Sequence, residues 1–162
     1  MTVRLDATDW RILKHLQGNA RMTNVDLARR SALSPPPCLR RVRALEEAGV
    51  LEGYFANIDE RAIGFQLTAF AMVGLHAQAE QDLTAFENRV LTWPIVRECH
   101  MLSGETDFLL RCVTTDLVAF QDFVMKDLTA APNVASVKTH LTMRRSKFEP
   151  GVPIPDPEHM ER

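Results

Sequence analysis

Cysteine is scarce in this chain of 162 residues: three are present, an odd number, and none stands in C-x-x-C spacing. That argues against a disulfide framework or a zinc site. Cys38 falls on a helix seam and Cys99 and Cys112 in predicted strands, so all three read as small core hydrophobes. Cys99-His100 resembles a metal pair, but adjacent strand residues point to opposite faces. No metal and no cofactor are expected. No apolar run is long enough to span a bilayer, and Met1–Asp6 has no signal-peptide core; a cytoplasmic protein without membrane contact is the expectation. Catalytic signatures are missing too: no G-x-S-x-G, H-E-x-x-H, P-loop or dinucleotide fingerprint occurs. His15, His76, His100, His140 and His159 show no site spacing. No enzyme is expected from these residues. Neither an internal repeat nor a low-complexity tract appears.

What is present is concentrated in Ser34-Pro35-Pro36-Pro37-Cys38-Leu39-Arg40-Arg41-Val42-Arg43-Ala44-Leu45-Glu46-Glu47-Ala48-Gly49. It reads as a short basic helix. Ser34 is placed to cap it with its hydroxyl. Three prolines fill the first turn, where a missing N–H costs little and φ is already helical. Cys38, Val42, Leu45 and Gly49 recur at helical spacing toward a core, while Arg40 and Arg43 lie off that stripe and Arg41 flanks it. Upstream, Thr23-Asn24-Val25-Asp26 forms a capping box for a helix from Asn24 to about Ala32, with Val25 and Leu27-Ala28 inward. Ser31-Ala32-Leu33 turns the chain into Ser34. Helix, turn, helix is the unit that places its second helix in a DNA major groove. Asp6 caps a first helix, Ala7–Gln17, with Trp10, Ile12-Leu13 and Leu16 buried. Val50–Ile58 has the composition of a strand, which would complete a winged helix-turn-helix.

The alternative is a three-helix bundle whose arginines solvate its surface. Charge placement favours DNA. Arg21, Arg29, Arg30, Arg40, Arg41 and Arg43 face one acid, Asp26, between positions 21 and 43. Residues 1–64 carry ten basic and eight acidic groups, a net +2, and residues 65–162 carry nine and thirteen, a net −4. The overall −2 hides a basic patch of the kind that meets phosphates.

The second half follows another pattern. Asp59–Gly64 is a helical turn closed by glycine, a hinge. Strand-like Leu67–His76 leads to a helix, Ala79–Leu91, with Leu83, Phe86, Val90 and Leu91 on one face. Strands follow at Val96–Leu102 and Phe108–Val113, joined by the turn Ser103–Thr106. A helix capped by Asp116 spans Leu117–Leu128, with Phe120, Phe123-Val124 and Leu128 inward, and Val134–Arg145 is the last strand. The fold class is therefore α+β: a winged helix-turn-helix over residues 1–58, a hinge over 59–66 and a ferredoxin-like βαββαβ domain over 67–147. Both faces of the first strand are apolar, so the open sheet face is expected to pair with a second subunit. The tail, 148–162, has four prolines and no periodicity; it reads as an extended arm packing along a neighbour.

The turn Ser103-Gly104-Glu105-Thr106-Asp107 admits two readings. It is a plain hairpin that needs Gly104 for its backbone, or a site whose amides meet a carboxylate while Glu105 or Asp107 meets an ammonium, as an amino acid would require.

Leu33–Tyr54 resembles the recognition-helix segment of the Lrp/AsnC (feast/famine) transcriptional regulators. Leu5–Leu13 resembles that family's opening helix, and Glu98–Leu110 its ligand-loop segment. The similarity runs from about Leu5 to Lys147. The resemblance implies a regulator that binds double-stranded DNA through Arg29, Arg30, Ser34, Pro36, Pro37, Arg40, Arg41 and Arg43. It implies a small effector, commonly an amino acid, held by Gly104, Glu105, Thr106 and Asp107, with His140 and Thr142 bordering the cleft. The family pattern at this loop is closer to Gly-Asp-x-Asp; Glu105 departs from it and Asp107 matches. Homodimers that assemble into tetramers or octamers are implied as well. Two other readings share features with this one: a haem-precursor decarboxylase of the same architecture, and an architectural DNA binder of low specificity.

Overall fold

A computed structural model describes residues 4–155; 156–162, which include the end of the predicted tail and His159, lie outside the described residues. Two compact units divide the chain. One runs to Asn57 and takes up the chain again from Lys147; the other spans Ile58–Ser146.

The first unit holds α1 (Ala7–Gly18), α2 (Asn24–Arg30) and α3 (Pro35–Glu47). Asp6 caps α1 by accepting from the amides of Thr8 and Asp9 at 2.8 and 2.9 Å, and Asp9 Oδ2 accepts from the Asp6 amide at 3.1 Å. Thr23 Oγ1 accepts from the Asp26 amide at 3.1 Å to cap α2. Both α2 and α3 end in the same reversal. Leu33 N–H returns to Ala28 O at 2.8 Å after Ala32 at φ 57°, and Val50 N–H returns to Leu45 O at 2.9 Å after Gly49 at φ 68°. Each is a Schellman stop. Ile12, Leu13, Leu16, Leu27, Ala28, Cys38, Val42 and Leu45 form the core, with Trp10 and Ile154 packed on it.

Several expectations change here. Ser34 occupies the N-cap position of α3, yet its side chain makes no capping bond. The reason is chemical: an N-cap hydroxyl bonds the amide of the second or third helical residue, and here those are Pro36 and Pro37, without N–H. The first amide present, Cys38, bonds the Ser34 carbonyl at 3.3 Å. Val25 points outward, 62% exposed, and Gly49 is exposed rather than on the buried seam. Val50–Ile58 forms no strand; the wing is irregular, with Phe55 88% exposed. β propensity needs a pairing partner, and this segment pairs with none among the described residues. Tyr54 instead anchors it, donating to Glu46 Oε1 on α3 at 2.9 Å. Partial burial and the Glu46 carboxylate push the Tyr54 phenol up to about 12.

The tail also differs from the expected arm. Gln17 on α1 grips Val152 through both ends of its amide, donating to the carbonyl at 2.8 Å and accepting from the N–H at 3.0 Å. With Ile154 on the core, the described part of the tail belongs to the first unit.

The second unit is a four-stranded antiparallel sheet in the order β2-β3-β1-β4, formed by β1 (Leu67–Leu75), β2 (Val96–Met101), β3 (Phe108–Thr114) and β4 (Val134–Leu141). Two helical segments accompany it: α4 (Glu80–Val90), and α5 (Leu117–Phe123) continued by a π turn over Val124–Leu128. A 3₁₀ turn, Arg61–Ile63, precedes β1 and ends in Gly64. Alternation decides the burial: Ala69, Ala71 and Val73 are fully buried, with Phe108, Leu110 and Cys112 opposite them in β3. Phe86, Trp93, Phe120, Phe123 and Leu128 close this core from the helical side. Leu91 is 84% exposed: as the C-cap it still has helical dihedrals, which set it about 100° around from buried Val90 and about 140° from Phe86. β4 ends at Leu141, not Arg145, since its register places Leu141 opposite Ala69 near the start of β1.

Candidate functional site

The sequence-predicted arginines separate once their partners are known. Pro36, Arg40 and Arg43 share the outward stripe of α3, opposite Cys38, Val42 and Leu45. Arg30, Arg40 and Arg43 are exposed and make no ion pair among the described residues. Ser34, with no capping bond, keeps its hydroxyl at the same helix end. Pro37 is half-buried beside it. Arg29 pairs with Asp26 one turn back on α2. Asn24 Nδ2 donates to Pro35 O at 2.9 Å, fixing the start of α3 against the start of α2.

Arg41 is held differently from its neighbours. Its Nη1 donates to Asp6 Oδ2 and Asp9 Oδ1, both at 2.8 Å, so it clamps the capping box of α1 to α3. Burial works against ionisation of Asp6, but the Asp9 amide, Arg41 and the Thr8 amide outweigh it, and its pKa falls below the usual carboxylate value. Bonds to Asp9 and then Asp6 raise the Arg41 pKa in turn. Arg41 is thereby a brace of the fold. No local sequence signal announces a pair separated by more than thirty positions.

The loop 103–107 joins β2 to β3. Gly104 stands at φ 153°, a conformation for glycine alone, with nothing near its missing Cβ. Glu105 is exposed and Thr106 is buried. Asp107 is half-buried and occupied: its Oδ2 accepts from the Leu75 amide at 2.7 Å, while its own N–H reaches Val73 O at 2.9 Å. It ties the loop to the bulged end of β1, where the register shifts between Gly74 and Leu75. The sheet register keeps the other predicted residues apart from this loop. His140 lies opposite Phe70, whereas Asp107 precedes Phe108, the partner of Val73, and so falls four positions away with β1 in between, which puts the two roughly 17 Å apart by strand spacing. Thr142 is farther still, its amide on Thr68 O at 2.9 Å. Within one chain, Gly104–Asp107 and His140–Thr142 do not converge.

The open sheet face is less uniformly apolar than β1 suggested. Phe70, Met72 and Leu109 are half-buried on it. Beside them Arg111 bonds Glu98 at 2.7 Å and Glu60 at 3.4 Å. Burial opposes the charge on Glu98, but Arg111 and His100 lower its pKa on balance. Burial raises the pKa of all three cysteines. Burial pushes Cys112 up to about 12, and burial with the Glu87 charge pushes Cys99 up to about 11. No cluster of metal-ligating side chains occurs among the described residues. None of their helices is long and apolar enough to cross a membrane.

Comparison with known proteins places both units. Residues 5–52 match the family model for winged helix-turn-helix DNA-binding domains, and residues 68–152 the model for Lrp/AsnC ligand binding domains. The chain is similar to the leucine-responsive regulatory protein of Rhizobium meliloti, 55% identical over 90% of this chain and 93% of that one. It is 37% identical to the Bkd operon transcriptional regulator of Pseudomonas aeruginosa, over 93% and 98% of the two chains. A transcriptional regulator of Neisseria meningitidis, solved as a complex with L-Met, superposes with a TM-score of 0.87 at 39% identity, covering 93% of this chain and 97% of that one. These relatives are regulators; none supports a decarboxylase or any other enzyme. The chain belongs to the Lrp/AsnC family of DNA-binding transcriptional regulators.

Proposed function

We propose that this protein is a cytoplasmic regulator that binds specific double-stranded DNA sites as a homodimer or larger assembly and responds to an amino acid. The observation that carries the reading is the outward stripe of α3: Arg40 and Arg43 are exposed with no ion pair among the described residues, on a helix whose N-terminus is fixed by prolines and whose place in the helix-turn-helix is that of the major-groove helix. Arg40, Pro36 and Pro37 are assigned to base edges. Arg29, Arg30, Arg43 and the Ser34 hydroxyl are assigned to phosphates. Arg41 contributes by holding α3 on α1.

For the effector, the exposed Glu105 suits an ammonium, the Gly104–Thr106 backbone suits a carboxylate, and Asp107 holds the loop in place. His140 and Thr142 are assigned to the same cleft from a second copy, since their own chain keeps them distant from the loop. The half-buried Phe70, Met72 and Leu109 support pairing of two sheets. The hinge proposed at 59–66 lies at the start of the sheet unit, where Glu60 bonds Arg111. The relative solved with L-Met supports amino acids as the ligand class.

The test has two arms. A duplex selected from a random pool by the full-length protein is titrated by fluorescence anisotropy, and the twenty amino acids are screened by thermal shift. Selective binding together with a shift from one or a few amino acids is expected. Equal affinity for selected and random duplex, or no shift from any amino acid, overturns the corresponding half.

A further inference from the structure

The start of α3 has an unusual surface for a helix that meets nucleic acid. A helix N-terminus ordinarily offers free amides to an anion. Here Pro35, Pro36 and Pro37 supply none, and the first amide, Cys38, is spent on Ser34 O. Pro35 and Pro36 are exposed, so this end presents ring carbons instead. Cys38 is fully buried. The next residue, Leu39, is 39% exposed, and it is the one large apolar side chain exposed on α3. It borders Arg43 on one side of the outward stripe that also carries Pro36 and Arg40.

From Pro35 through Arg40, then, a single exposed side chain, that of Arg40, can hydrogen-bond a base edge. The remaining outward surface is carbon. Among the groups that bases present in the major groove, the thymine 5-methyl is the one that rewards an apolar contact. We infer that Leu39, with Pro36, reads thymine methyl groups flanking a guanine read by Arg40, and that Leu39 is a specificity-determining residue of this protein. This rests on α3 being the major-groove helix.

Replacing thymine by deoxyuridine removes only the methyl group and tests the inference directly. Duplexes are selected from a random pool with the full-length protein. The enriched sequence is then remade with deoxyuridine at each thymine in turn. Burying one methyl is worth about fourfold in affinity, so at least one thymine beside a guanine should show a loss of that size. In L39A the dT/dU ratio at that thymine should fall to about one. L39M, which keeps an apolar side chain of similar size, should retain it. Leu39 lies outside the buried core of its unit, so both variants should stay folded with at most a modest fall in Tm, and their salt dependence should be unchanged because no phosphate contact is lost. Methyl dependence that persists undiminished in L39A, or its absence at every thymine, overturns the inference while leaving sequence-specific binding intact. Failure to enrich any sequence removes the reading on which it rests, and the inference with it.

Discussion

Each unit encloses one arginine between two carboxylates, and the helical unit also gathers exposed arginines, unpaired among the described residues, on the outward face of one helix. In the sheet unit Arg111 is enclosed between Glu98 and Glu60. In the helical unit Arg30, Arg40 and Arg43 are exposed and form no ion pair among the described residues, and only Arg41 is doubly bonded. Their cores differ as well. Among the described residues eight buried ones support the three helices, whereas fourteen support the sheet and its helices; the smaller unit therefore depends more on caps, the Arg41 clamp and the docked tail. The contrast teaches that a basic residue's sequence neighbourhood does not reveal its role. An arginine left without a carboxylate is available to a phosphate or a base, and one held by two carboxylates is already part of the fold.

The largest expected effect compares the cores. Phe108→Ala should destabilise the sheet unit by about 3–5 kcal/mol, seen by calorimetry. Ile12→Ala should remove about 2–5 kcal/mol from the helical unit and abolish duplex binding while the sheet unit keeps its transition. A single merged loss in both variants would show that the two units unfold as one.

Within the helical unit, Arg40→Ala should weaken a selected duplex by about 1–3 kcal/mol and a random duplex by less. Equal losses on both would assign Arg40 to phosphate.

In the sheet unit the corresponding test is Asp107. Replacement by alanine leaves the Leu75 amide without its acceptor and should cost about 1–3 kcal/mol of stability. Asp107→Asn keeps an acceptor and should fold nearly as the parent does. An amino-acid thermal shift retained in Asp107→Asn would confirm that the carboxylate holds the loop; its loss would give Asp107 the ammonium instead.

Arg41→Ala sharpens the division between arginines. Its ion pairs are partly exposed, so screening limits the loss to about 1 kcal/mol. The Asp6 pKa is depressed in the folded state, so this contribution is present above the ordinary value of 3.8 and disappears as pH falls below it. The difference in stability between parent and variant should therefore be seen at pH 7 and vanish in acid. The salt slope of duplex binding should stay unchanged in Arg41→Ala and flatten by about 0.9 in Arg30→Ala. A flattened slope in both would return Arg41 to the DNA surface.

The smallest effect concerns the turn between α2 and α3. Ala32 holds φ 57°, where glycine avoids the Cβ penalty. Ala32→Gly should be neutral or stabilising by up to about 1 kcal/mol. A clear destabilisation in urea titration would mean that the Ala32 methyl contributes packing.

Local physics made much of this protein legible in its sequence. Cap residues, helical spacing and strand alternation act over a few positions, so Asp6, Thr23 and Asp116 marked helix starts and Ala69-Ala71-Val73 was set on one strand face, though which face is buried was not marked. The capping bond expected of Ser34 is absent, although the reason is just as local: the prolines that follow have no N–H to give. What tertiary structure alone decided was which polar groups meet across long stretches of chain: Arg41 with Asp6, the Asp107 carboxylate with the Leu75 amide, Gln17 with Val152. The same holds for the unpaired wing and for the distance between His140 and the loop. Those outcomes depend on how completed elements pack and on strand register, and a periodic pattern within one element carries no record of either.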